Sequence, residues 1–348
     1  MRYYIRRDLN IFDGLNFRML FLCAFAPLRE LFSSRIFGTK GRRFGGEEHL
    51  IFIFLLLFSL PGMAQSNPDN LAHTLLWKIS GKGAKSPSYL YGTMHTGDDR
   101  VFALQDSALI AFDSVNEFAM EINMDSIDNT AMASEMRLPE GQTLKQLLGD
   151  ADYKLAGKCL MKSAGIPIFL LNTIRPIYVS VLITEGKQNK RDVLDTYFFK
   201  LAKKENKKII GLEKAEDQMK LLMGISLDKQ VSMLREGIHD YEAMKSSMEE
   251  TTVDYSDADL NKLLRETQSD TSMGANFMED FINKRNRVMA NGIERVLRSG
   301  KTLFTAVGAD HLPGQKGVIS LLLKDGYIVN PVLSKNFLEA KDVKRRIK

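Results

Sequence analysis

Cysteine is scarce in this chain of 348 residues: there are two, Cys23 and Cys159. A disulfide framework is therefore excluded, and so is a structural zinc cluster of the Cys/His kind. If the front of the chain is removed, Cys159 stands alone and reads as a small buried apolar residue rather than a nucleophile. A strong charge of one sign is also missing. The formal net charge is +5, but residues 1–64 carry nine Lys or Arg against five Asp or Glu, which leaves 39 against 38 for the rest. A nearly neutral body lacks the clustered basic footprint of a nucleic-acid binder. No apolar run approaches the roughly 20 residues that span a bilayer. Neither a His-Glu-x-x-His nor a Gly-x-Ser-x-Gly occurs. Gly81–Lys85 (GKGAK) imitates a phosphate loop, but Ala84 takes the place of the required glycine and a strand follows it.

The front reads as a leader. Leu50–Leu60 (LIFIFLLLFSL) has the length of the apolar core of a secretory signal, with Arg42 and Arg43 upstream. Pro61-Gly62-Met63-Ala64 places small residues at 62 and 64, so cleavage is expected after Ala64. Export to the periplasm or the medium follows, and an uncleaved anchor is the alternative. Residues 1–46 are long for a signal and fit an over-extended translation start.

Residues 65–335 read as one α/β domain. Leu75–Ser80 and Tyr89–Thr93 are a pair of strands around a Gly-rich turn. A helix over 101–113 and a strand over 114–122 complete a βαβ unit. Residues of about 125–250 are mostly helical, interrupted by a strand at Lys208–Leu212. Two further helices are predicted over 254–268 and 276–299. Thr302–Val307 is an apolar strand without alternation, as expected of a strand buried on both faces. A helix over 317–324 and a last strand over 327–332 follow. The expectation is a central, mostly parallel sheet built from two βα halves, with a large helical insertion. Residues 336–348 form a basic tail, expected as a frayed, solvated helix.

Chemistry is suggested by a repeated pattern. Gly92-Thr93-Met94-His95 and Gly308-Ala309-Asp310-His311 are both Gly-x-x-His turns that follow an apolar strand. Functional groups gather at the carboxyl ends of strands in open α/β sheets, so His95 and His311 could converge on one site. Glu121 ends the next strand, expected beside the one carrying His95. Its carboxylate could share a metal with the imidazoles or act as a general base. Asp98 and Asp99 are better read as helix caps. Asp310 could orient His311, ligate, or form a turn. Glu213, at the start of a helix, fits a cap and a site residue equally. Arg285, beside Asn286 in a charged helix, reads from spacing alone as a solvated charge; facing a site, it could hold a carboxylate or an oxyanion. His73 and His239 read as surface residues.

These motifs, together with Leu76–Ile79, Tyr89–Asp98, Gly211-Leu212-Glu213, Arg285-Asn286-Arg287, Val307–Gly314 and Gly326–Val329, resemble the TraB/PrgY/GumN family over about residues 71–333. That family is grouped with the Tiki metalloproteases and, more distantly, with erythromycin esterase and ChaN proteins. The resemblance implies a shared α/β fold of two related halves, each with a Gly-x-x-His, and a metal-dependent peptidase site. It assigns the two histidines to His95 and His311, the glutamate to Glu121 and the arginine to Arg285. Asp310 departs from the small residue usual in the family. The expected activity is that of an exported metal-dependent hydrolase, most plausibly a peptidase, with His95, His311 and Glu121 on Mn²⁺, Co²⁺ or Zn²⁺. The alternatives are a ligand- or peptide-binding protein and a metal-free acid–base hydrolase of the esterase type. The partner is a peptide or a small molecule.

Overall fold

A computed structural model describes residues 70–186, 193–269 and 278–347. The leader lies outside these residues. Among the described residues, no helix is long and apolar enough to cross a membrane.

Six strands form one sheet: β1 (Leu76–Ser80), β2 (Ser88–Thr93), β3 (Glu117–Met120), β4 (Lys208–Gly211), β5 (Leu303–Gly308) and β6 (Ile328–Pro331). Their order across the sheet is β4-β3-β5-β2-β1-β6. The four strands from β4 to β2 run parallel, and β1 pairs antiparallel with both β2 and β6. The expected hairpin and the mostly parallel sheet are both present. One neighbour differs from expectation: β3 does not lie beside β2, because β5 is inserted between them. The consequence is chemical, since the end of β3 then faces the Gly308 turn rather than the His95 turn.

β5 is central and is buried along Leu303–Val307, which is why its sequence shows no alternation. Helix α1 (Asp106–Asp113) is shorter than expected, because Val101–Leu104 is a turn with Val101, Phe102 and Leu104 buried. The helical region contains α2 (Asn129–Glu135), α3 (Leu144–Ser163), α4 (Pro176–Glu185), α5 (Leu194–Lys204), α6 (Ala215–Gly224), α7 (Leu227–His239) and α8 (Tyr241–Ser256). Gly149, with φ +78°, breaks α3 into the two pieces that the sequence suggests. Further on are α9 (Leu260–Ser269), α10 (Lys284–Arg298) and α11 (Val318–Lys324).

Two apolar cores result. One covers the sheet, and the other lies within α3, α4 and α7 of the helical region. Helix α5 belongs to the sheet core. Phe198 stacks within 5.1 Å of Phe304 on β5 and 5.7 Å of Phe112 on α1, and such aromatic packing fixes the helix on the sheet. Cys159 is buried in the second core. The basic tail is docked rather than frayed. Val343 of its helix α12 (Ala340–Arg345) is buried, Lys344 sits 3.9 Å from the Phe102 ring, and Arg346 pairs with Asp113 and Glu205 at 2.7 and 3.0 Å. One apolar anchor and three acidic partners (Asp99, on Lys344, is the third) are what the composition of the tail does not reveal.

Candidate functional site

The parallel register places the two Gly-x-x-His turns side by side: Gly92 pairs with Val307 and Thr93 with Gly308. Glycine suits the close approach of the neighbours. A Cβ on Gly92 would stand 3.2 Å from Ala309 Cα, and one on Gly308 would stand 3.3 Å from Glu121 Oε1. After Gly308 a single 3₁₀ turn, Ala309–His311, turns the histidine inward, and its imidazole is buried.

On the other side of β5, strands β3 and β4 end together. Leu212 and Glu213 donate their N–H groups to the carbonyls of Met120 and Glu121 at 2.9 and 2.8 Å. Two carboxylates therefore project from adjacent chain ends, and Arg285 of α10 reaches both. Its Nη2 donates to Glu121 Oε2 at 2.6 Å and to Glu213 Oε2 at 2.7 Å. Its Nε donates to Glu213, and its Nη1 to the Phe281 carbonyl at 3.2 Å. The remaining Glu121 oxygen accepts the Gly308 N–H at 2.8 Å and faces Nε2 of His311 at 3.8 Å. All these side chains are at least nine-tenths buried. The expectation of a solvated Arg285 from spacing is corrected: it lies on the inner face of α10, holding two buried anions.

Each histidine has a neighbour on Nδ1. His311 Nδ1 lies 2.6 Å from Asn286 Oδ1, so this nitrogen carries the hydrogen. His95 Nδ1 lies 3.0 Å from Asp195 Oδ2, an ion-pair approach whose angle falls outside hydrogen-bond geometry. The other oxygen of Asp195 accepts from Thr93 Oγ1 at 2.7 Å. Asp195 sits on the buried side of α5 and escaped the sequence reading. Its one visible signal is a lone acid inside the apolar stretch Leu194–Phe199 (LDTYFF).

The electrostatics separate the titratable groups. Burial, the largest influence on Glu121, raises its pKa, but Arg285, then His311 and His95 and the Gly308 N–H, together hold it well below the usual carboxylate range. For Glu213 burial wins over Arg285 and the carboxyl is pushed up. Burial lowers the His311 imidazole and the Arg285 cation lowers it further, to about 3. Burial also works against the charged form of His95, but Asp195 overcomes it and raises the pKa. His311 is thus held neutral beside an anionic Glu121.

The sign of the resulting pH dependence follows. An unfolded histidine titrates near 6.5. As pH falls from about 6.5 toward 3, the unfolded chain takes up a proton that folded His311 refuses, so folding loses up to about 1.4 kcal/mol per pH unit from this group. The raised His95 acts oppositely: its stabilisation is complete below 6.5 and is lost as pH rises through its folded pKa. Urea unfolding of His311→Gln between pH 7 and 5 is expected to show a shallower acid loss than the parent. His95→Gln is expected to flatten the alkaline side. Identical slopes in parent and variants would contradict the assignment.

The other candidates fall outside the cluster. Asp98 pairs with Arg100 at 2.7 Å and accepts its backbone N–H, and Asp99 pairs with Lys344. Thr267 donates to Asp310 at 3.4 Å. His239 pairs with Asp152 at the surface, and His73 is largely exposed. Glu213, left open between cap and site, stands on Arg285.

The family profile of TraB/PrgY/gumN matches residues 75–331. The chain belongs to this family. Among curated proteins, the chain is similar to "Metalloprotease TIKI2" of Danio rerio, 24% identical over 315 residues, which is 74% of this chain and 60% of that protein. "Metalloprotease TIKI1" of Xenopus tropicalis is 25% identical (74% and 61% covered), and the Homo sapiens protein of that name is 23% identical over the same shares. The chain thus spans about 60% of the length of these relatives. No solved structure matches it. Among the described residues, no group of three or more His, Cys, Asp or Glu side chains is arranged so that it could hold a metal ion as it stands.

Proposed function

We propose that this family member is an exported, metal-dependent peptidase whose site is the cluster of Glu121, His311, Arg285 and His95. The observation that carries the reading is the meeting of two carboxylates, an arginine and a histidine from four distant stretches in one buried cluster at the carboxyl ends of β3, β4 and β5. Relatives named as metalloproteases support the reaction class. Matching glycine-headed turns on neighbouring parallel strands support two related βα halves, with the helical region at 125–250 as a wall over the site.

The residues fit a divalent ion in kind. Two imidazoles and a carboxylate are ordinary ligands of Zn²⁺, Co²⁺ and Mn²⁺. Nδ1 of His311 is hydrogen-bonded to Asn286 and Nδ1 of His95 faces the Asp195 carboxylate, so Nε2 of each ring would be the nitrogen to ligate beside Glu121. When bound, such an ion supplies a water of near-neutral pKa and polarises a carbonyl. Neutral His311 and anionic Glu121 are already in the ligating protonation states. Arg285 holds the Glu121 carboxylate in place, and its cation is positioned to stabilise an oxyanion. Glu213, the more readily protonated carboxyl, balances that cation.

A second reading rests on the approach of His311 Nε2 to Glu121 Oε1 at 3.8 Å, which suits an acid–base pair hydrolysing without a metal. Calorimetry and metal analysis decide between them. With the purified protein and Mn²⁺, Co²⁺ or Zn²⁺, one ion per chain is expected, with cleavage of a mixed peptide pool. Both are expected to vanish in a His95→Ala/His311→Ala double variant. Cleavage that survives chelation would favour the acid–base pair, and no binding with no cleavage would refute both.

A further inference from the structure

Beside the site lies a groove that the reaction as proposed does not use. Strands β3 and β4 leave the sheet side by side at Glu121 and Glu213, and the chain then diverges into α2 and α6. Between those helices is a cavity of about 280 Å³. Its floor is apolar and rich in methionine: Met132 and Met219 are buried and Met223 half-buried, with Ala131 on the open side. Whole small molecules take pockets of roughly 300–1,000 Å³, so this volume suits a single large side chain. Unbranched thioethers adapt to several apolar shapes. The rim is mostly acidic. Asp128, Glu135 and Glu216 line it, whereas its lysine, Lys220, is paired with Asp217 at 3.3 Å.

We propose that this groove is a specificity pocket that takes a large apolar side chain (leucine, methionine or phenylalanine) of a peptide, flanked by lysine or arginine. The inference rests on the peptidase reading of the adjacent cluster. The groove begins six residues after Glu121 and two after Glu213, so a side chain seated in it belongs to a residue close to the scissile bond. The acidic rim selects basic neighbours and disfavours acidic ones, because like charge opposed at short range costs binding.

The test uses a binding probe, so that its outcome does not depend on turnover. An acetylated Gly-Lys-photoleucine-Lys-Gly amide is irradiated with the full chain, and the label is mapped by mass spectrometry. Label is expected on residues 127–135 and 215–223, at least about tenfold above that from the same peptide with glutamate in place of lysine. Competition by the leucine peptide is expected to exceed that by the alanine peptide by about tenfold or more. Ala131→Trp, which fills the groove from its exposed side, is expected to remove the label about tenfold. Glu216→Lys, a surface change, is expected to narrow the preference for lysine. Label elsewhere, no label, or label indifferent to both substitutions would overturn the pocket. Groove labelling without any peptide cleavage would instead keep the pocket and sink the peptidase reading.

Discussion

Arg285→Leu is expected to destabilise the protein by about 3–5 kcal/mol at neutral pH, read as the loss of unfolding free energy in urea. The size follows from what is left behind. The guanidinium holds Glu121 and Glu213 at 2.6 and 2.7 Å within a buried pocket. Leucine fills part of the volume but leaves two buried carboxylates without a cation, and breaking a buried pair from one side carries that cost. The pH dependence separates this from a packing defect. Without Arg285 the carboxyl of Glu121 loses the strongest influence opposing its burial, and Glu213, already pushed up by burial, loses its cation too, so the folded pKa of each rises. A group raised in this way penalises the folded state at high pH, and the penalty fades as pH falls through the raised pKa. The gap between parent and variant should therefore be widest above pH 7 and should narrow toward pH 5. Arg285→Lys restores a charge but not the fork that reaches both carboxylates, so a partial recovery is expected. A gap that stays constant from pH 8 to 5 would point to lost packing alone.

The sheet was readable because its signals are local. The Gly-rich turn after Ser80, the unalternating Leu303–Val307 run and the Gly-x-x-His turns each declare a strand end within a few residues. Strand order was not readable in the same way. Nothing in Phe118–Glu121 shows that β5 rather than β2 lies beside it, since adjacency is decided by the return of the chain some 180 residues later. The same limit applied to Arg285. On a helix reading KRNRV, charge spacing cannot separate an arginine facing inward from one facing water. The distinction lies in Glu121 and Glu213, which the helix meets only in the folded state. Glu213 could be narrowed to cap or site by its position after β4, and the side-by-side ends of β3 and β4 decide which. Asp98 shows a different limit: read as a cap of the next helix, it instead closes a turn onto the Arg100 N–H, because that helix begins only at Asp106 with Gln105 at its N-cap.

Asp195→Asn is expected to weaken binding of the divalent ion proposed for this site by about 10–100-fold while leaving the fold intact. The residue reaches the site only through His95, so it acts by positioning. Its Oδ2 lies against His95 Nδ1 at 3.0 Å, and Oδ1 is fixed by the Thr93 hydroxyl within the same turn. A carboxylate there holds the hydrogen of the neutral ring on Nδ1, so that Nε2 is the ligating nitrogen, and raises its basicity, and losing such an outer partner costs this much in metal affinity. The amide of asparagine keeps the shape but not the charge, and the raised pKa of His95 depends on Asp195 first among the groups that favour its charged form. Asn286 holds His311 in the same way with a neutral amide, and burial and the Arg285 cation leave that ring at a lower basicity. The two histidines are therefore inequivalent despite their matching turns. Nitrogen NMR of ring-labelled histidine reads this without any metal, since the chain has only five histidines. In Asp195→Asn the His95 ring signals should shift toward mixed tautomers and a lower pKa, with those of His311 barely moved. Unchanged His95 signals together with unchanged metal affinity would show that Asp195 serves α5 packing and not the imidazole.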